Sequence, residues 1–90
     1  MAITKKKLAL MHTVAGLTTT FQQLCTELMP DVEIYHIVDE SLLKNTILEG
    51  APSPATYRRL ASYLRGAEEA GADAVLVTCS SMGPGISSTD

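Results

Sequence analysis

The chain has 90 residues, a formal net charge of −3 at pH 7, three tyrosines, one phenylalanine and no tryptophan. Nucleic-acid-binding proteins generally present a basic face and stack bases on aromatic side chains, so this composition argues against nucleic-acid binding. No stretch approaches the roughly 18 apolar residues of a membrane-spanning helix, and no signal peptide is recognisable at the start. We therefore expect a single cytoplasmic domain over residues 1–90, with no nucleic-acid and no membrane partner.

The first half of the chain predicts a strand, a helix and a second strand. The short apolar run 8–11 is typical of a strand that is covered on both faces. Apolar residues over 17–28 recur with a helical period, and Pro30 ends that segment. Cys25 lies on the apolar stripe of this helix, so we interpret it as a small core residue. Residues 32–38 are rich in β-branched side chains and predict the second strand.

The second half predicts two helices and a third strand. Apolar residues between 42 and 48 indicate a short helix that ends at Gly50. Ser53 and Pro54 are a typical N-cap and first residue of the next helix, and Gly71 is suited to the left-handed position after its end. The apolar run 74–78 predicts the last strand. The buried stripe of the longer helix is predicted to contain Tyr57, Leu60, Ala61, Leu64 and Ala67.

This order of elements predicts an α/β fold with a parallel sheet. Right-handed crossovers and a flavodoxin-like strand order of 2-1-3 would place the first and third strands side by side, with helices on both faces. The two crossovers then leave the first strand in opposite directions. Ligands of such three-layer sheets bind at this switch point, outside the carboxyl ends of the strands.

Five residues with polar or reactive side chains fall at that crevice. His12 and Thr13 follow the first strand, and Cys79, Ser80 and Ser81 follow the third. The glycine-rich turn that comes next offers backbone N–H groups that can bind an anion, and a cysteine beside such donors has a lowered pKa. The sequence thus predicts Cys79 as a base or nucleophile beside a small carboxylate or phosphate pocket. His12 either orients the substrate or caps its strand.

Several other chemistries are excluded by the residues present. No Gly-Lys-Ser/Thr sequence occurs, no GxGxxG follows a strand, and Gly85 stands where a tyrosine-phosphatase loop needs arginine. Zinc binding would require the two histidines and the two cysteines to converge, and two of these lie on elements predicted to point them elsewhere. We interpret His36, in the middle of a strand, as a satisfied core or edge histidine. We expect no metal, no cofactor and no disulfide.

The segment GADAVLVTCSSMGP resembles the first cysteine motif of the aspartate/glutamate/hydantoin racemase superfamily, which also includes arylmalonate decarboxylases and maleate isomerases. The segments KLALMHTVAGL and PSPATYRRLASYLRGAEEAGAD resemble the same N-terminal half of these proteins. The resemblance covers almost the whole chain, up to about Pro84.

The resemblance implies cofactor-independent proton transfer at a carbon next to a carboxylate. In this family one cysteine from each of two lobes faces the substrate; one thiolate removes the α-proton and the opposite thiol delivers another. Carried onto this chain, Cys79 is one acid/base, and Ser80 and Ser81 bind the substrate carboxylate. Ser80 and Ser81 stand where members of this family frequently have an Asn-Thr pair. This departure argues against an amino acid as the substrate.

Family members are much longer than this chain and have two lobes. We therefore expect residues 1–90 to be part of an N-terminal lobe that has no racemase activity by itself. The helical stripe that carries Cys25 directs it into the core, so it does not supply the second base. An uncovered sheet edge is expected to let copies of the chain associate.

Three readings of the sequence remain open. The chain is either such a racemase-like lobe or a non-catalytic, regulatory α/β module that binds a small anion in the same crevice. A third reading is an unrelated flavodoxin-like domain in which Cys79 is a core residue. An accessible, acidic thiol would favour chemistry, whereas a buried, inert thiol would favour packing.

Overall fold

Three parallel strands form one sheet in the order 2-1-3, as the sequence predicts. The computed structural model describes residues 6–78, so the predicted site residues 79–81 lie outside the described part of the chain. The central strand pairs in parallel with both neighbours, and Leu10 lies opposite His36 on one side and Leu76 on the other. The strands are β1 (Lys7–His12), β2 (Glu33–Val38) and β3 (Ala74–Val77).

Three helices connect and cover these strands, and their ends follow local sequence signals. The Ser53 hydroxyl accepts the N–H of Thr56 at 3.2 Å and caps the third helix, which begins with the predicted proline. Gly50 and Gly71 follow the second and third helices with φ angles of 80° and 97°. Both glycines therefore occupy the left-handed region, which the sequence predicts for Gly71. The helices are α1 (Leu17–Leu28), α2 (Glu40–Glu49) and α3 (Pro54–Glu69).

The hydrophobic core lies between the sheet and the pair α2 and α3. Met11 of β1, Leu42 of α2 and Leu60 of α3 are fully buried and form its centre. Side chains alternate between the faces of a strand, so Leu10 and His12 lie on the opposite face of β1, the side that α1 covers. The ring of His12 is accordingly 5.7 Å from that of Phe21 in α1.

Helix α1 covers its face of the sheet incompletely. Cys25 is buried in the helix, as predicted. Leu24 and Leu28 belong to the same predicted stripe, but they are 44% and 74% exposed. Leu76 of β3 is exposed as well. Helical periodicity marks an apolar face, whereas burial also requires a neighbouring element opposite that face. None of the helices within residues 6–78 has the length and apolar character needed to cross a membrane.

Candidate functional site

His12 lies fully buried at the carboxyl end of the central strand and contacts both neighbouring strands. Its Nδ1 is 2.8 Å from Oγ1 of Thr78, and its Nε2 is 2.8 Å from Nδ1 of His36. The backbone N–H of Thr78 donates to the carbonyl of Met11 at 3.0 Å, which extends the pairing of β1 and β3 by one residue. Thr78 directly precedes Cys79. The residue before the predicted base is thus fixed at the end of β1.

A second pair of contacts continues this arrangement to the surface. Nε2 of His36 lies 2.8 Å from Oε1 of Gln22 in α1. We call the four side chains of Thr78, His12, His36 and Gln22 the histidine network. It begins at the carboxyl edge of the sheet and ends at a shallow depression on the α1 side. The depression is lined by Thr18, Thr19, Gln22, Gln23 and His36.

The direction of the hydrogen bonds in the network follows from its outer end. The hydroxyl of Thr26 donates its single proton to the backbone carbonyl of Gln22 at 2.8 Å, so it can only accept from the Gln22 side-chain amide, 3.2 Å away. The amide oxygen therefore faces His36, whose Nε2–H donates to it. Nδ1 of His36 then accepts from Nε2–H of His12. Nδ1 of His12 in turn accepts the hydroxyl proton of Thr78. All these bonds are satisfied with both rings neutral.

Burial favours this neutral state of the inner ring. Desolvation lowers the pKa of His12, and the charge that His36 carries when protonated lowers it further. A buried imidazole without a carboxylate partner loses hydration when it is charged. Within residues 6–78 neither histidine forms an ion pair with a carboxylate. At neutral pH His12 is therefore a hydrogen-bond acceptor towards Thr78.

Thr13 carries a buried hydroxyl beside this network. The residue is 1% exposed, and within residues 6–78 its Oγ1 has no hydrogen-bond partner. A buried hydroxyl that lacks a partner costs about 1–3 kcal/mol. Its place directly after β1 puts this group at the edge where ligands of parallel sheets bind. Within residues 6–78 the hydrogen-bonding capacity of this hydroxyl is therefore unused.

A third group of side chains gathers at the carboxyl end of β2, around Asp39. The backbone N–H of Asp39 donates to the carbonyl of His12 at 3.0 Å, which ties this group to the same edge. One carboxylate oxygen accepts from Arg59 at 2.6 Å and from Tyr63 at 2.5 Å. The other accepts the backbone N–H and the hydroxyl of Ser41, at 2.9 and 2.6 Å, and so caps α2.

The charge of Asp39 is stabilised by these partners. Burial alone would raise the pKa of Asp39, but the hydrogen bonds from Ser41 and Tyr63 and the charge of Arg59 outweigh it, so the pKa lies below its usual value. The same contact with Asp39 raises the pKa of the Tyr63 hydroxyl, and burial adds to this. We call these four residues the Asp39 cluster.

The structure brings together some of the predicted site residues and adds others. His12 and Thr13 lie at the predicted edge, whereas Cys79, Ser80 and Ser81 are outside the described residues. His36 is the satisfied edge histidine that the sequence predicts, with both ring nitrogens bonded. The rings of His12 and His36 lie in direct contact, which the sequence did not predict.

The two histidines meet because of strand register. His36 pairs with Leu10, two residues before His12, so both rings project from the same face of adjacent strands. The sequence does not specify this register. The sequence also did not predict the Asp39 cluster. The Asp-x-Ser sequence at 39–41 is a local signal for the cap of α2. No local signal indicates that Arg59, 20 residues further along the chain, contacts Asp39.

The described residues form no recognisable metal centre. Within residues 6–78 no group of three or more histidine, cysteine, aspartate or glutamate side chains is placed to hold a metal ion. The arrangement offers instead a buried hydrogen-bond acceptor at His12, a buried hydroxyl at Thr13 that is unpaired within the described residues, and a strand end that leads into a cysteine. No protein-family model, no curated protein and no solved structure matches this chain.

Proposed function

We propose that this chain carries a cofactor-independent site for proton transfer at the carbon next to a carboxylate, with Cys79 as acid/base. The observation that carries the proposal is the bond between buried His12 and Thr78, the residue before Cys79, at the switch point of the sheet. This is the edge where α/β sheets bind ligands. The groups proposed to bind the substrate are Thr13, Ser80 and Ser81, whereas His12, whose two ring nitrogens are bonded to Thr78 and His36, is proposed to orient the site rather than to contact the substrate.

The chemistry needs a base and fixed donors near it. Removal of an α-proton leaves an enolate-like charge that hydrogen-bond donors must stabilise in the transition state. The Thr13 hydroxyl, which is unpaired within residues 6–78, is proposed as such a donor, and the serines that follow Cys79 supply two more. A thiolate is the reactive form of cysteine. A neutral His12 accepts the hydrogen bond of the Thr78 hydroxyl, which holds the residue before Cys79 in place without a charge in the interior.

Exchange of the α-hydrogen with solvent tests the proposal directly, because this reaction needs only one base. A single thiolate exchanges an α-hydrogen with solvent, whereas inversion also needs an acid on the opposite face. We expect the chain to exchange the α-hydrogen of aspartate, glutamate or an arylmalonate for deuterium, followed by NMR in D2O, without racemising the substrate. Cys79→Ala should abolish the exchange. Cys25→Ala is the matched control and should retain it.

The same assay separates the alternative function. If exchange is absent but the carboxylates still shift NMR signals around Thr13, the chain is a small-anion-binding or regulatory module rather than a catalyst. Exchange at equal rates in the wild type and Cys79→Ala would refute the role of Cys79. Racemisation by a monomer would show that one cysteine site suffices for inversion.

The proposal includes a cytoplasmic location, a small carboxylate as the substrate and association between copies of the chain. Exposed apolar side chains support association, because apolar surface favours contact with another protein surface. Leu24 and Leu28 of α1 and Leu76 of β3 are among the large exposed ones. Sedimentation velocity of the wild type and of Leu28→Lys tests this part: the variant should be more monomeric at the same concentration.

A further inference from the structure

We propose that the solvent-facing side of α3 binds a small molecule that carries phosphate groups. This site is separate from the crevice at the carboxyl end of the sheet and does not depend on Cys79. A depression of about 440 Å³ lies on the surface of α3, a volume within the range of small-molecule sites. Its lining, which we call the arginine surface, is formed by Ala55, Arg58, Arg59, Ala61, Ser62 and Arg65.

The arginine surface concentrates positive charge on an otherwise acidic chain. All three arginines of the sequence belong to it, and the segment 55–65 contains no aspartate or glutamate. The chain as a whole nevertheless carries a formal charge of −3. A cluster of one sign of charge attracts ligands of the opposite sign. The planar fork of N–H donors on arginine also matches the oxygens of a phosphate group, which a lysine contacts only as a point charge.

Arg59 is oriented by the Asp39 cluster through a single nitrogen. Its Nη2 donates to Oδ2 of Asp39 and to Oγ of Ser41, at 2.6 Å in both cases. A guanidinium also has N–H donors on Nη1 and Nε, and these two bonds do not use them. The side chain is 40% exposed, so a ligand can reach the rest of the fork. A guanidinium that is already held in place loses less side-chain entropy when it binds an anion.

Arg65 is held towards the depression rather than towards the end of its helix. Its Nη2 donates to Oγ of Ser62, which lies 3.2 Å away and three residues earlier in the chain. Glu68 and Glu69 follow Arg65 at the helical spacings where opposite charges commonly pair. Within residues 6–78, however, Arg65 forms no ion pair with either glutamate. Its charge therefore adds to that of the exposed Arg58 beside the same depression.

The chemistry of the lining favours phosphate groups as the part of the ligand that is bound. Three guanidinium groups and the hydroxyl of Ser62 surround a floor to which only alanines contribute apolar side chains. Among the described residues that line the depression, none is aromatic, so a nucleobase has no ring to stack on. Several guanidinium groups around one depression can bind more phosphate oxygens than a single phosphate presents. We expect pyrophosphate to bind more tightly than phosphate.

Titration with inorganic pyrophosphate at constant ionic strength, followed by NMR of the nitrogen-15-labelled chain, tests this site. The Nε–H signals of the three arginines and the backbone signals of 55–65 should shift in a saturable way. Arg58→Gln and Arg65→Gln should each weaken binding about tenfold, because each removes a charged donor. Lys44→Gln is the matched control, since it removes the same charge from an exposed position on α2 outside the lining. It should leave the affinity unchanged.

Further results distinguish this site from general attraction of anions. Arg58→Lys keeps the charge but not the fork, so it should bind pyrophosphate less tightly than the wild type. Equal weakening by Lys44→Gln would assign the effect to overall charge and refute the site, as would unchanged affinity in folded Arg58→Gln and Arg65→Gln. Saturable shifts confined to signals around Thr13 would place the anion in the crevice and also refute it. Tighter binding of a polyglutamate peptide than of pyrophosphate would overturn the assigned ligand class.

Discussion

Replacement of Asp39 tests how the carboxyl end of β2 is held. Asp39→Ala removes the cap of α2, the acceptor for Tyr63 and the partner of Arg59. Loss of an N-cap costs about 1 kcal/mol. A hydrogen bond to a carboxylate contributes about 1.5 kcal/mol. The ion pair is part exposed on the Arg59 side and adds no more than about 0.5 kcal/mol. We expect the free energy of unfolding to fall by about 3 kcal/mol.

Two companion variants divide this loss into its parts. Asp39→Asn keeps an N-cap oxygen for Ser41, but its amide nitrogen cannot accept from Tyr63 or Arg59, so it should lower the free energy of unfolding by about 2 kcal/mol. Tyr63→Phe removes the same hydrogen bond to the carboxylate and should cost about 1.5 kcal/mol in the wild type but almost nothing in Asp39→Ala. Urea unfolding followed by circular dichroism measures all three. Equal losses for Asp39→Asn and Asp39→Ala would contradict the assignment of the cap.

Three further predictions concern pH, backbone conformation and thiol accessibility. Because folding lowers the pKa of Asp39, its carboxylate stabilises the fold above the unfolded pKa of 3.8. Acid unfolding curves should show this contribution disappear as the pH falls below that value. Asp39→Asn, which has no carboxyl group, should not show the loss. In thermal unfolding, Gly66→Ala, inside α3 with open space around it, should stabilise by about 0.5–1 kcal/mol, whereas Gly71→Ala, at φ 97°, should destabilise by about 1 kcal/mol. Peptide mapping after iodoacetamide treatment should show Cys79 modified before buried Cys25; the opposite order would overturn the assignment of the reactive thiol.

Local signals in the sequence were sufficient to predict the fold. The strand runs, the cap at Ser53 and the left-handed glycines at 50 and 71 each depend on neighbouring residues, and all agree with the structure. These elements leave few arrangements for a parallel three-stranded sheet, which is why the order 2-1-3 could be predicted.

The side-chain clusters depend on contacts between distant residues, so the sequence did not predict them. His12 meets His36 through the register of two strands, and Gln22 reaches His36 only because α1 crosses that face of the sheet. Arg59 meets Asp39 through the packing of α3 beside α2. The apolar stripe of α1 is also not sufficient to predict burial. Leu28 is exposed because no other element packs against it, and the periodicity of α1 carries no information about neighbouring elements.

The unequal cover of the two sheet faces has a consequence for local opening. Helix α3 buries Thr56, Leu60 and Ala67, whereas α1 buries only Cys25. Elements with few buried apolar contacts open in sub-global fluctuations that leave the rest of the domain folded. Amide hydrogens of α1 should therefore exchange with solvent faster than those of α3. Each such opening breaks the contact between Gln22 and His36 and lets water reach the buried ring of His12 while the sheet stays intact.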